Sequence, residues 1–233
     1  MNHQRVPSGD DYARLLEPVT ATSVHHAVYR ALCARLMHGV YGAGQVLGIQ
    51  ELADELQTST MPVREALRRL VAQQALEPTR SRSVRVPLIT ADRLLDLRRV
   101  RLLVEGQSIE WATPRLTSAD LDVLEQLARD IQTARVDLTA SLELNRQFHF
   151  LIYQAAQSKV MLGVIESLWL QSGPYLRAVR EHCGLGREAI DDHHDAVVVA
   201  LRAGDARRAR DALEADISWP FDQLSPLPSS EEH

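Results

Sequence analysis

Two cysteines, a single lysine and no long apolar run are the first constraints on this chain of 233 residues. Cys33 and Cys183 lie far apart in segments that read as helical, so no disulfide is expected. No apolar stretch approaches the roughly 18 residues needed to span a bilayer, which argues against a membrane partner. The first twenty residues lack the apolar core of a signal peptide, and a cytoplasmic location is expected. Of the 26 basic residues only Lys159 is a lysine, which reads as coding bias rather than physical demand. Residues 90–219 show no alternating strand pattern of any length, which leaves an all-helical bundle for that half.

What is present is the makeup of a globular protein, 45% apolar and 24% charged, long enough for one large domain or two ordinary ones. The net charge of −5 is unevenly spread. Residues 60–85 hold six arginines against two glutamates, a net of +4, so the remainder carries −9. A basic island in an acidic chain suits one small domain that meets phosphate and a larger one with another task.

The island centres on residues 58–70. Thr58, Ser59 and Thr60 offer a helix cap, and Pro62 fits a first turn, where a missing N–H costs nothing. Val63, Ala66, Leu67 and Leu70 then form an apolar stripe, while Arg64, Arg68 and Arg69 project elsewhere. Before this helix, residues 24–36 and 49–56 read as two more, the second joined to it by a tight turn: a helix-turn-helix. After it, residues 75–79 and 83–86 read as two short strands around Arg80-Ser81-Arg82, a basic hairpin beside a recognition helix. The expected fold is mainly α, a winged helix-turn-helix over residues 20–88 and an all-helical domain over 89–219. Residues 1–19 read as a flexible arm and 220–233 as a frayed tail. Helices are expected at about 91–111, 117–134, 138–157, 159–182, 187–203 and 205–218, with Gly173-Pro174 kinking or splitting the fourth.

Residues 24–87 resemble the DNA-binding domain of GntR-family transcriptional regulators. The resemblance rests on Gly-x-Gly-x-x-Leu at 42–47, Glu-Leu-Ala at 51–53 and Pro-Val-Arg-Glu-Ala-Leu-Arg-Arg-Leu at 62–70. The family pattern has arginine where Gln50 stands and Ser-Arg-Thr where Ser59-Thr60-Met61 stand, so two guanine- or phosphate-reading arginines are missing. The candidates for DNA contact are Gln50, Ser59, Thr60, Arg64, Arg68 and Arg82.

In the helical half, His149 lies four residues after Asn145, His194 falls in the next-to-last helix and Asp216 in the last. Two imidazoles and a carboxylate from three helices suit a divalent metal, and Asn145 could add an amide oxygen. This half resembles the effector-binding FCD-type domain of the FadR-like branch of the same family, through Val-Arg-Leu-Leu-Val-Glu at 100–105, Asn-Arg-Gln-Phe-His at 145–149 and His194. The resemblance implies a metal site at Asn145, His149, His194 and Asp216, with Asn145 and Asp216 replacing the family's Asp and His. Such a harder ligand set weakens Ni and Zn relative to Mn. It further implies a small organic or sugar acid near Arg101, Asn145 and Tyr175, although Arg101 could equally form an i,i+4 ion pair with Glu105. His193 reads as a surface residue.

The expected protein is a homodimeric, ligand-responsive regulator, more often a repressor in such a family, that binds a two-fold operator in double-stranded DNA and is not an enzyme. Two alternatives remain. A metal-dependent hydrolase or isomerase would use the His/Asp cluster, but no separate general base is evident and the winged helix would be unexplained. A DNA-binding dimer with no effector would show no binding of metals or acids.

Overall fold

The computed structural model describes residues 22–80, 83–134, 137–183 and 193–224. The chain runs through α1 (Thr22–Met37), β1 (Val46–Leu47), α2 (Ile49–Glu55), α3 (Thr60–Ala72), β2 (Glu77–Pro78) and β3 (Val84–Arg85). It continues through α4 (Ala91–Ala112), α5 (Ser118–Thr133), α6 (Leu138–Ala155), α7 (Lys159–Cys183), α8 (His193–Arg202) and α9 (Ala206–Leu224). Among the described residues no helix is long and apolar enough to cross a membrane, and Cys33 is a free thiol.

The first three helices and the sheet form the winged unit. Gln57 takes a left-handed conformation (φ 50°) in the turn between α2 and α3, and the Thr58 N–H closes α2 on the Ala53 carbonyl at 2.9 Å. The apolar stripe of α3, Val63, Ala66, Leu67 and Leu70, is fully buried against Val28, Leu32 and Leu36 of α1 and Leu52 of α2. The sheet has the order β1-β3-β2, antiparallel throughout, with Leu47 opposite Val84 and Glu77 opposite Arg85. Arg85 is held there by Glu77 across the strands at 2.5 Å.

The described residues of the second unit are built from helices. Thr117 and Asp120 cap α5 reciprocally, and Thr90 caps α4. Leu94, Leu97 and Ile109 of α4 bury against Leu124 and Ile131 of α5, Phe148 and Ile152 of α6, Trp169 of α7, Val197 of α8 and Leu213 of α9. Two expectations are corrected. The pair Gly173-Pro174 does not split its helix, since α7 runs unbroken over 25 residues. The tail does not fray at Pro220, because α9 continues to Leu224. A proline inside a helix costs about 3 kcal/mol, and burying Phe221 and Leu224 returns roughly 1.5–3 kcal/mol each. Arg98 adds an ion pair with Asp222 at 2.7 Å. The part of the next-to-last helix expected before residue 193 lies outside the described residues.

The two units meet along α1 and α7. Leu170 of α7, only 2% exposed, belongs to the core of the winged unit. A Cβ built on Gly173 would stand 1.7 Å from the Leu36 carbonyl oxygen, so the two backbones touch. Gly39 adopts φ +60° where a Cβ would meet Arg177 Cβ at 2.7 Å, so both conformation and space demand glycine. Arg177 donates to the Gly39 and Val40 carbonyls at 3.1 and 2.8 Å, and His38 pairs with Glu143 of α6 at 2.6 Å. Arg146, opposed by burial and helped by Gln147 and His38, brings the Glu143 carboxyl down to about 2.

These contacts separate two glycines on one helix. Gly173→Ala should lower the melting temperature by several degrees, or ~1–3 kcal/mol, because a backbone carbonyl cannot rotate away. Gly163, with nothing within 4 Å of its Cβ position, should behave oppositely, Gly163→Ala adding up to about 1 kcal/mol through helix propensity. Thermal melts followed by circular dichroism decide both.

Candidate metal centre and nucleic-acid interface

Three helices carry the polar cluster at the centre of the bundle. On α6, Asn145 and His149 are one turn apart on the same face, with Tyr153 a further turn along. α8 supplies His194 and α9 supplies Asp216. His149 Nε2 lies 3.1 Å from Asp216 Oδ2, and His194 Nε2 lies 3.6 Å from Asp216 Oδ1. One ligand atom from each of the three residues lies within 4.8 Å of the other two. Donors around one tetrahedral ion stand roughly 3.3–3.5 Å apart, so a metal could be held here after small side-chain movements. Asn145 Oδ1 accepts from His194 Nε2 at 2.9 Å, which places the amide oxygen beside the same position.

The electrostatics favour a cation. His149 is 2% exposed. Burial opposes the charge on Asp216, yet His194 and His149 outweigh it and hold the carboxyl well below the usual carboxylate range. The enclosed space is about 60 Å³, bounded by Leu142, Trp169, Val179, Trp219 and Pro220 among others. This is far short of the roughly 300 Å³ or more of a typical organic-ligand pocket.

A second layer backs the cluster. Glu105, fully buried, accepts from Arg101 Nε at 2.6 Å, Arg101 Nη2 at 3.2 Å and Trp169 Nε1 at 3.2 Å, and from the Tyr153 hydroxyl. Arg101 also reaches Ser172 Oγ at 3.4 Å and lies over the Trp169 ring. Burial and the charge of Glu105 push the Tyr153 phenol well above its ordinary value, so it stays a donor. Of the two roles open to Arg101, the ion pair with Glu105 is the one formed here. Tyr175 lies apart from the cluster, buried with its ring 6.5 Å from Phe221. His193, expected on the surface, is half-buried on the edge of the cavity and adds to the positive field on Asp216. Tyr153 was recoverable from its i,i+4 spacing to His149; nothing in the sequence marks Trp169 or Ser172.

On the winged unit, Arg64 is exposed with no carboxylate partner among the described residues, and Arg68 is exposed with only Glu65 at 3.6 Å. Both border a groove of about 330 Å³ between α3 and the sheet, floored by Leu67, Val71 and Val84. Arg69 is committed elsewhere, its guanidinium 3.7 Å over the Tyr29 ring. Ser59 stands at the N-cap of α3 without a side-chain capping bond, and Thr60 opens the helix. Gln50 bonds its own helix through Asp54 at 2.9 Å, and Arg82 lies outside the described residues.

Comparison with known proteins agrees with this division. Residues 25–86 match the family model of bacterial regulatory proteins of the gntR family, and residues 96–218 match the FCD domain. The chain is 32% identical over 183 residues to the HTH-type transcriptional regulator McbR of Escherichia coli K12, covering 77% of this chain and 82% of that protein. A solved structure of E. coli McbR/YncC superposes with a TM-score of 0.77 at 31% identity, covering 84% of this chain and 93% of that one. The galactonate operon transcriptional repressor of E. coli K12 is 27% identical over 202 residues, 76% of this chain and 86% of the repressor. With a winged unit that exposes Arg64 and Arg68 on α3 and a helical unit built around a buried polar cluster, the chain belongs to the gntR family of bacterial regulatory proteins with an FCD domain, and is a ligand-responsive DNA-binding transcriptional regulator rather than an enzyme.

Proposed function

We propose that the protein is a homodimeric cytoplasmic repressor that binds operator DNA through residues 20–88 and senses, from residue 89 onward, a small carboxylate by way of a divalent metal. The observation that carries this is the convergence of His149, His194 and Asp216 on one buried position. Those three residues would hold the ion, with Asn145 beside them. A bound ion supplies Lewis-acid affinity for a carboxylate, a task that Arg101 cannot perform while Glu105 occupies its guanidinium. The harder donor set favours Mn over Ni and Zn relative to a three-imidazole site. A relative named for a galactonate operon points to sugar acids as the effector class, and the 60 Å³ cavity must then widen on binding.

On the DNA side, Arg64 and Arg68 enter the major groove with Ser59 and Thr60, while Arg82 and Gln50 meet the backbone. One winged unit covers few base pairs, and two placed about one helical turn apart multiply affinity. The two sites are linked thermodynamically only if ligand binding changes the placement of the winged units. α7 is the element that can do this, since Trp169 packs 5.2 Å from His149 while Leu170 and Gly173 pack against the winged unit and Arg177 holds the turn that follows α1.

Three outcomes are expected. Arg64→Ala should weaken operator binding about tenfold or more with the melting temperature unchanged, measured by fluorescence anisotropy at fixed salt; unaltered affinity would sink the assignment of α3. Purified wild-type protein grown with Mn, Ni and Zn should carry about one metal per chain by elemental analysis, and the double variant His149→Ala/His194→Ala none. Arg177→Ala should keep the metal affinity of wild type while reducing the effect of metal on operator binding.

A further inference from the structure

The cluster on α6 shows more than a set of ligands. We infer that Tyr153, held by Glu105, is a positioning residue that fixes the tautomer of His149 and turns its Nε2 lone pair toward the metal position, an inference that rests on the metal site proposed above.

The hydrogen-bond accounting leaves one arrangement. Glu105 forms a two-point ion pair with Arg101 and, as a carboxylate, can only accept. The Tyr153 hydroxyl proton therefore points at Glu105. Its oxygen lies 3.0 Å from His149 Nδ1 and has only lone pairs left to offer that nitrogen. Nδ1 must then carry hydrogen, since the other tautomer sets two lone pairs against each other across 3.0 Å between two buried side chains. With Nδ1 protonated, Nε2 and Asp216 Oδ2 face each other at 3.1 Å. That places the Nε2 lone pair and a carboxylate oxygen on either side of the position a metal ion would take. This is the arrangement by which an outer partner orients a metal-binding imidazole, but the partner is a phenol and a buried glutamate two helices deep rather than a carboxylate in direct contact. Trp169, donating to Glu105 at 3.2 Å, ties the same chain to α7.

The test uses the full-length protein. Long-range proton–nitrogen NMR, with His149 identified through His149→Gln, should find Nδ1 protonated in the metal-free protein and again after zinc is added, with zinc on Nε2. In Tyr153→Phe the Nδ1 hydrogen bond is lost, and the Nε2–H form that Asp216 favours should appear, while zinc affinity by competition calorimetry falls 10- to 100-fold. A purely structural role for Tyr153 would lower the melting temperature without changing the protonated nitrogen. Should Tyr153→Phe fail to fold, the wild-type spectrum alone decides. Nδ1 without hydrogen, or zinc bound equally by wild type and Tyr153→Phe, overturns the positioning role and leaves the metal site standing. A wild-type protein that binds neither zinc nor manganese overturns both.

Discussion

A buried carboxylate in a protein interior is tolerable only when every lone pair is answered, and Glu105 is where this molecule meets that demand. Its donors come from three helices: Arg101 on its own α4, Tyr153 on α6 and Trp169 on α7. Removing a partner from such a pair costs several kcal/mol, because the remaining charge is stranded. The relative placement of α4, α6 and α7 is thereby specified by polar geometry as well as by the apolar packing around it. Asp216 and the two histidines sit in front of this network and are less deeply buried than Glu105. The His149 side of the cluster is tied to this charge through Tyr153.

The same network bears on the coupling proposed between the two units. α7 has no idle face over residues 169–177. Trp169 and Ser172 turn toward the glutamate–arginine pair, and Leu170, Gly173 and Arg177 turn toward α1. Allosteric coupling needs an element whose position both sites bias, rather than a wire between them. A helix shared by two cores meets that requirement, since a shift that relieves strain on one face must be absorbed on the other. The pair His38–Glu143 adds a second bridge, joining the end of α1 to the helix that bears His149.

Much of this was legible in the residues. Helical spacing gave the stripe on α3, and spacing together with family resemblance singled out His149, His194 and Asp216. These are local signals, and local physics decides them. What stayed hidden was decided by contacts distant in sequence. Pro220 announces an end to a helix, but burial of Phe221 and Leu224 overrides it. Gly173-Pro174 reads as a break, whereas the glycine is there to admit the Leu36 carbonyl. Tyr175 has the composition of a ligand-site residue and is turned the other way by its place on the helix. Arg101 and Glu105 were open to two roles because spacing alone cannot tell an exposed i,i+4 pair from one whose four donors and acceptors are sealed under a tryptophan.

Leu170 has a consequence for how such proteins diversify. A side chain from the helical half completes the core of the winged half, so the winged unit cut at the linker would expose the apolar surface that Leu170 covers and lose the Arg177 bonds to Gly39 and Val40. The two halves are therefore poor candidates for free exchange by recombination. A hybrid would need to import the middle of α7 along with whichever sensor it borrowed, and the inheritable module ends inside that helix, not at the loop that joins the units.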